Sequence, residues 1–216
     1  VELGDYESYM LKEIMEQPQA VASVLRNRVD FQDGRIELPE LGFSQQELND
    51  FRKVVLIGCG TSLHASQVGR YLFEQLSGVP AEAEAASEFR YRDPLIDKNT
   101  LVVAIAQSGE TADTVAAMQT VREKEGRLVT ICNVEGSQST RLAEGTLYMG
   151  LTTEIGVAST KTFIASLASL TLLAGYLGQS RGFLSQEGVR QLIDQLAQCP
   201  RLIGDILADT SAYQRL

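Results

Sequence analysis

Two short segments carry residue types suited to holding an anion: Gly58-Cys59-Gly60-Thr61-Ser62 and Gln107-Ser108-Gly109-Glu110-Thr111. Glycines let the backbone come close to a ligand and adopt positive φ. The hydroxyls of Thr61, Ser62, Ser108 and Thr111 can each donate to an anionic oxygen. A helix starting directly after each segment adds unpaired N–H groups and a positive dipole end. Together these make a phosphate cradle that requires neither lysine nor metal. For either segment alone, the competing reading is a strand-ending turn followed by a helix N-cap. Two such segments at the tips of neighbouring strands favour the ligand reading.

A third segment, Glu154-Ile155-Gly156-Val157-Ala158-Ser159-Thr160-Lys161, leaves two readings open. Structurally, Ser159 or Thr160 is an N-cap and Lys161 a surface residue. Functionally, the Gly156 turn brings Val157 and its backbone over a ligand in the same crevice. The lone histidine, His64, reads as an ordinary helix residue, and Cys59 as a small packing residue with no organised base beside it. The Arg90-Tyr91-Arg92-Asp93-Pro94 stretch reads as an exposed turn with local salt bridges. Gly58-x-Gly60 begins a dinucleotide fingerprint, but Leu63 stands where its third glycine belongs, so NAD binding is kept only as an alternative. No Gly-Lys-Ser/Thr occurs, which excludes a P-loop.

These segments need a scaffold, and the hydropathy pattern supplies one. Val54 to Ile57, Leu101 to Ala106 and Leu128 to Cys132 are continuous apolar runs, with weaker strand patterns near Pro80 to Ala85 and Leu147 to Met149. Helical patterns lie between them, from Leu63 to Leu76, from Thr111 to Gly126, and from about Ser159 onward. Continuous apolar strands alternating with helices predict a parallel sheet covered on both faces. The expected fold class is therefore α/β, a three-layer αβα sandwich with a five-stranded parallel sheet in flavodoxin-like order. In that order the first and third strands along the chain, Val54 to Ile57 and Leu101 to Ala106, are neighbours, and ligands bind beyond their carboxyl ends. Before the sheet, Asp5 to Val29 reads as helix broken near Pro18, followed by a loop through Asp33-Gly34 and Pro39. Ser44 and Glu47 then form a capping box. After it, Ser185 to Leu216 reads as an amphipathic helical tail. The expected divisions are 1–50 as a helical extension and linker, 51–180 as the ligand-binding domain, and 181–216 as a tail.

Composition removes several function classes. The chain has 216 residues and a formal net charge of −9, with 19 Lys plus Arg against 28 Asp plus Glu, so no general basic field exists for nucleic acid. Three widely spaced cysteines argue for a reducing compartment and against a disulfide framework or a zinc site. Thr162 to Ser180 is uncharged, but its serines, threonine and glycines suit a buried core helix better than a membrane span. The opening residues are acidic and polar, unlike a secretory signal, and the reading is cytoplasmic.

In chain order, Cys59-Gly60-Thr61-Ser62, Ala86 to Arg92 (ASEFRYR), Gln107 to Thr114 (QSGETADT) and Glu154 to Lys161 (EIGVASTK) closely resemble the glutamine–fructose-6-phosphate aminotransferase family, also called glucosamine-6-phosphate synthases. Met10-Leu11-Lys12-Glu13-Ile14 with Gln17-Pro18 resembles the start of that family's isomerase half. The likeness implies the first of two sugar isomerase (SIS) lobes. It also implies a sugar-phosphate ligand (fructose 6-phosphate or glucosamine 6-phosphate) and a homodimer; no cofactor and no metal are expected. In the full-length chain, the partners implied are a glutaminase domain and a second SIS lobe. By the same likeness, Ser62, Ser108 and Thr111 match positions that hold the phosphate, and Thr61, Gln107, Val157 and Ser159 match positions around the sugar or its phosphate. The family usually carries serine immediately before the Gln-Ser-Gly-Glu run, where Ala106 stands here. The family's catalytic residues match no position of these 216 residues, so the fragment is expected to bind without turnover. The alternative from another class is a stand-alone sugar-phosphate sensor.

Overall fold

A computed structural model describes residues 2–211. The chain opens with two short helices, α1 (Tyr9–Met15) and α2 (Gln17–Leu25), which meet at Glu16. Pro18 sits in the first turn of α2, where its missing N–H costs nothing. The segment expected to be a loop instead forms a small antiparallel hairpin, β1 (Val29–Asp30) with β2 (Arg35–Ile36), pairing Val29 with Ile36. Strands this short show no alternation from which to be recognised. The capping box is present: Ser44 and Glu47 close the start of α3 (Gln45–Asp50) reciprocally.

Next come β3 (Lys53–Gly58), α4 (Thr61–Ser77), β4 (Ala81–Ala85) and α5 (Ala86–Phe89). They are followed by β5 (Thr100–Ile105), α6 (Ala112–Glu123) and β6 (Arg127–Cys132). The chain continues through α7 (Gln138–Leu142), β7 (Gly145–Tyr148), α8 (Lys161–Ser180) and α9 (Gln186–Ala208). Five of these strands form one all-parallel sheet in the order β4-β3-β5-β6-β7, which is the flavodoxin-like order expected. The helical tail ends at Ala208, and residues 212–216 of the expected tail lie outside the described residues.

The central strands are apolar at nearly every position because both faces are buried. Val54, Leu56, Leu101, Val103, Ile105, Val129 and Ile131 point into the larger core, beneath α2, α4, α8 and α9. Val55, Ile57, Val102, Ala104 and Leu128 alternate with them and point the other way, against Ala86 and Phe89 of α5 and Ala117, Met118 and Val121 of α6. The two sets make the three layers. Helix α8, uncharged after its first residue Lys161, has the length and hydropathy of a membrane span, yet most of its side chains are buried in the larger core.

The β3–β5 register pairs Val54 with Leu101 and Ile57 with Ala104. The two strands therefore end level with each other, and the segments that follow them emerge side by side.

Candidate functional site

At the carboxyl ends of β3 and β5 lies an open cavity of about 190 Å³. Thr61, Ser62, Gln107, Ser108, Thr111, Val157 and Ser159 all line it, so one crevice gathers the seven residues expected around a ligand. Cys59, Ala106, Thr114, Glu154, Gly156, Thr162, Phe163 and Ser166 complete much of the wall. Among the described residues, no lysine or arginine contributes to it.

The first segment turns tightly from β3 into α4. The N–H of Ser62 donates to the Cys59 carbonyl at 3.1 Å, and that of Leu63 to the Gly60 carbonyl at 3.0 Å. Gly60 occupies the N-cap position with no side chain to cap the helix, leaving Thr61 and Ser62 as its first two residues. The N-cap alternative for these two hydroxyls therefore does not hold. Cys59 Sγ lies 3.7 Å from Thr114 Oγ1, tying this turn to the start of α6. His64 is exposed on α4 and lies outside the cavity lining.

The second segment leaves β5 with the Ala106 N–H donating to the Ile131 carbonyl at 3.0 Å. Ser108 Oγ accepts from the Glu110 N–H at 3.2 Å, a local turn. Gly109 adopts φ +69°, and a Cβ there would lie 2.2 Å from Ser137 Oγ and 2.4 Å from Ser139 Oγ. Only glycine fits both the backbone and the space. Glu110 turns away from the cavity: its carboxylate accepts from the side-chain amide and backbone N–H of Gln138 at the start of α7. Those two bonds, the side-chain one foremost, hold its carboxyl below the usual range. Thr111 stands at the N-cap of α6, but its side chain makes no capping bond. Two helix N-termini thus reach the cavity without a side-chain cap.

The third N-terminus differs. Thr160 is at the N-cap of α8 but does not cap it. Glu154, buried, does so from upstream: Oε1 accepts from the N–H groups of Thr160 at 2.9 Å and Thr162 at 3.2 Å, and Oε2 accepts from Ser159 Oγ at 3.0 Å. The Gln107 side-chain amide donates to the Glu154 carbonyl at 3.4 Å.

The reading of Lys161 as a surface residue is corrected. Its side chain is 2% exposed, with Nζ 2.6 Å from Glu16 Oε2 and 2.8 Å from Thr152 Oγ1. The compensating charge comes from the α1–α2 junction, 145 residues earlier in the chain. The Arg90–Asp93 stretch does form ion pairs, but with other elements rather than locally: Arg90 with Asp113 of α6 at 2.7 Å, Arg92 with Glu84 of β4, and Asp93 with Lys124. Sequence reasoning placed Thr114 and Glu154 within its motifs without giving either a role, and passed over Thr162 and Ser166 as site residues. The signal for the last two was present, as hydroxyls four apart on one face of α8.

The profile of the SIS domain family matches residues 47–175. The chain belongs to the SIS family. This SIS chain is 45% identical over 213 residues to the glutamine–fructose-6-phosphate aminotransferase (isomerizing) of Symbiobacterium thermophilum. That match covers 99% of the chain and 35% of the relative. It is also 45% identical over 215 residues to the enzyme of the same name from Mycobacterium tuberculosis, covering all of the chain and 34% of the relative. Among solved structures, the C-terminal domain of glucosamine-fructose-6-phosphate aminotransferase from Francisella tularensis superposes with a TM-score of 0.86 at 32% identity. That alignment spans 94% of this SIS chain and 57% of the Francisella chain. The chain thus spans about a third of the length of the curated relatives it matches, the extent of one SIS lobe.

Proposed function

We propose that the cavity holds a sugar phosphate, fructose 6-phosphate or glucosamine 6-phosphate, as the phosphate-holding lobe of a larger glutamine–fructose-6-phosphate aminotransferase. The observation that carries this reading is the meeting of two uncapped helix N-termini, α4 and α6, with the hydroxyls of Thr61, Ser62, Ser108 and Thr111 in one cavity. Neutral donors and helix dipoles suit a phosphate dianion, because they attract it without fixing a cation beside it. Gln107, Val157 and Ser159 then face the sugar.

Catalysis in this reading belongs to other parts of the whole enzyme. Among the described residues, the one carboxylate in the cavity wall, Glu154, is engaged in capping α8. These 216 residues alone bind ligand and do not turn it over. Residues 51–180 form the binding domain in this scheme, 1–50 a helical extension, and 181–216 a tail leading to a second lobe. A glutaminase domain and that second lobe are its partners in the full protein, and the protein assembles as a homodimer in the cytoplasm. The buried placement of α8 and the three free thiols support that setting.

A thermal-shift titration tests the reading, since ligand bound to the native state raises the unfolding temperature. Fructose 6-phosphate and glucosamine 6-phosphate raise it and NAD does not; a shift with NAD alone would replace this reading with a dinucleotide one.

A further inference from the structure

Glu13, on α1, is buried at 1% exposure and takes part in no ion pair among the described residues. Its carboxylate is spent on backbone groups far along the chain. Oε1 accepts from the Ile155 N–H at 2.6 Å, and Oε2 accepts from the Gly156 N–H at 3.0 Å, with Oε1 3.3 Å from the same nitrogen. Burying a carboxylate is costly unless hydrogen bonds compensate it. Charge-assisted bonds to two N–H groups supply that compensation and make this one of the stronger polar contacts in the fold.

The contact fixes a wall of the cavity. Glu154, Gly156, Val157 and Ser159 line it, and Glu154 already anchors the downstream end of the segment through Thr160 and Thr162. Val157 between them is fully exposed at 103%, so apolar burial contributes nothing to its placement. What holds its backbone is the pair of amides immediately before it, and those are gripped by Glu13. Gly156 belongs to the same device: a Cβ there would lie 2.6 Å from Glu13 Oε2, closer than the carboxylate tolerates. The neighbouring Glu16–Lys161 pair ties the same helices to the start of α8.

We propose that Glu13 is a positioning residue for the ligand cavity, setting Gly156 and Val157 against the sugar portion of the bound molecule while leaving the phosphate loops untouched. This inference rests on the sugar-phosphate reading above. It predicts a separation between ligands, because inorganic phosphate engages α4 and α6 alone, whereas fructose 6-phosphate also meets the 154–159 wall.

The test compares the 216-residue chain with its Glu13→Gln and Gly156→Ala variants by calorimetric titration and by amide hydrogen exchange at residues 155 and 156. In Glu13→Gln, exchange at both amides accelerates, the Kd for fructose 6-phosphate rises about tenfold, and that for inorganic phosphate stays within about twofold. Gly156→Ala leaves α1 intact and displaces the carboxylate, so it reproduces the same selective loss if Glu13→Gln folds poorly. Equal weakening of both ligands, or unchanged fructose 6-phosphate affinity, would overturn the role of Glu13 alone. A wild-type chain that binds no sugar phosphate would overturn the functional reading and this role with it.

Discussion

Glu154 caps α8 from six residues upstream of Thr160, its Oε1 accepting from the Thr160 N–H at 2.9 Å. The carboxylate occupies the dipole end of α8, while α4 and α6 reach the same cavity without a side-chain cap. Negative charge is therefore drawn toward the turns after β3 and β5 and kept from the start of α8. In the proposed reading, phosphate lies by Ser62, Ser108 and Thr111.

Removing one of those hydroxyls tests that division. Ser108→Ala deletes a donor to a charged ligand, a contact worth about 1.5–3 kcal/mol. The expected result is roughly 10- to 100-fold weaker binding of fructose 6-phosphate by calorimetry, with the unfolding temperature of the free chain nearly unchanged. His64→Ala, outside the cavity, leaves affinity as it was.

Ala106 offers the opposite experiment. It lines the cavity, 4% exposed, where the family resemblance places a serine. Ala106→Ser adds one donor to the phosphate, and about 1 kcal/mol of net hydrogen-bond energy corresponds to roughly fivefold tighter binding. Affinity that falls instead would mean the added oxygen finds no partner there.

Much of this was legible in the sequence, and the part that was not has a common cause. The continuous apolar runs at Val54, Leu101 and Leu128 marked a parallel sheet because burial on both faces abolishes alternation. Ser44 and Glu47 marked the start of α3 because a capping box is local. Lys161 was misread because its partner, Glu16, lies 145 residues away, and no local pattern announces such a pair. The β1–β2 hairpin and the five-residue α7 were missed because neither is long enough to show a period. The loops of the cavity were found by composition, but their convergence follows from the β3–β5 register.

Glu47 links acid stability to the edge of the fold. Its carboxyl is held down to about 2, first by the Ser44 backbone N–H, then by Arg127 and the Ser44 hydroxyl. A depressed value means the stabilisation is full above the ordinary 4.5 and is lost as pH falls toward 2. Wild type and Glu47→Gln should therefore differ most in denaturant midpoint above pH 4.5 and converge as pH approaches 2. A gap that widens on acidification would reverse the sign.

Arg181 closes α3 from the far end of α8. One guanidinium nitrogen donates to the carbonyls of Leu48 at 2.9 Å, Asn49 at 2.8 Å and Phe51 at 3.0 Å. Arg181→Ala leaves these acceptors unpaired at a helix C-terminus and costs about 1–3 kcal/mol. In a domain of this size that is a drop of several degrees in Tm, read by calorimetry, with roughly 2–4 °C for each kcal/mol.

The most direct test of the central claim is a calorimetric titration of the 216-residue chain with fructose 6-phosphate beside fructose, each repeated on Ser108→Ala. The account predicts saturable one-site binding of the phosphorylated sugar, none of fructose at the same concentration, and loss of most of the affinity in the variant. Equal binding of both sugars, or full affinity in Ser108→Ala, would contradict a phosphate cradle between α4 and α6.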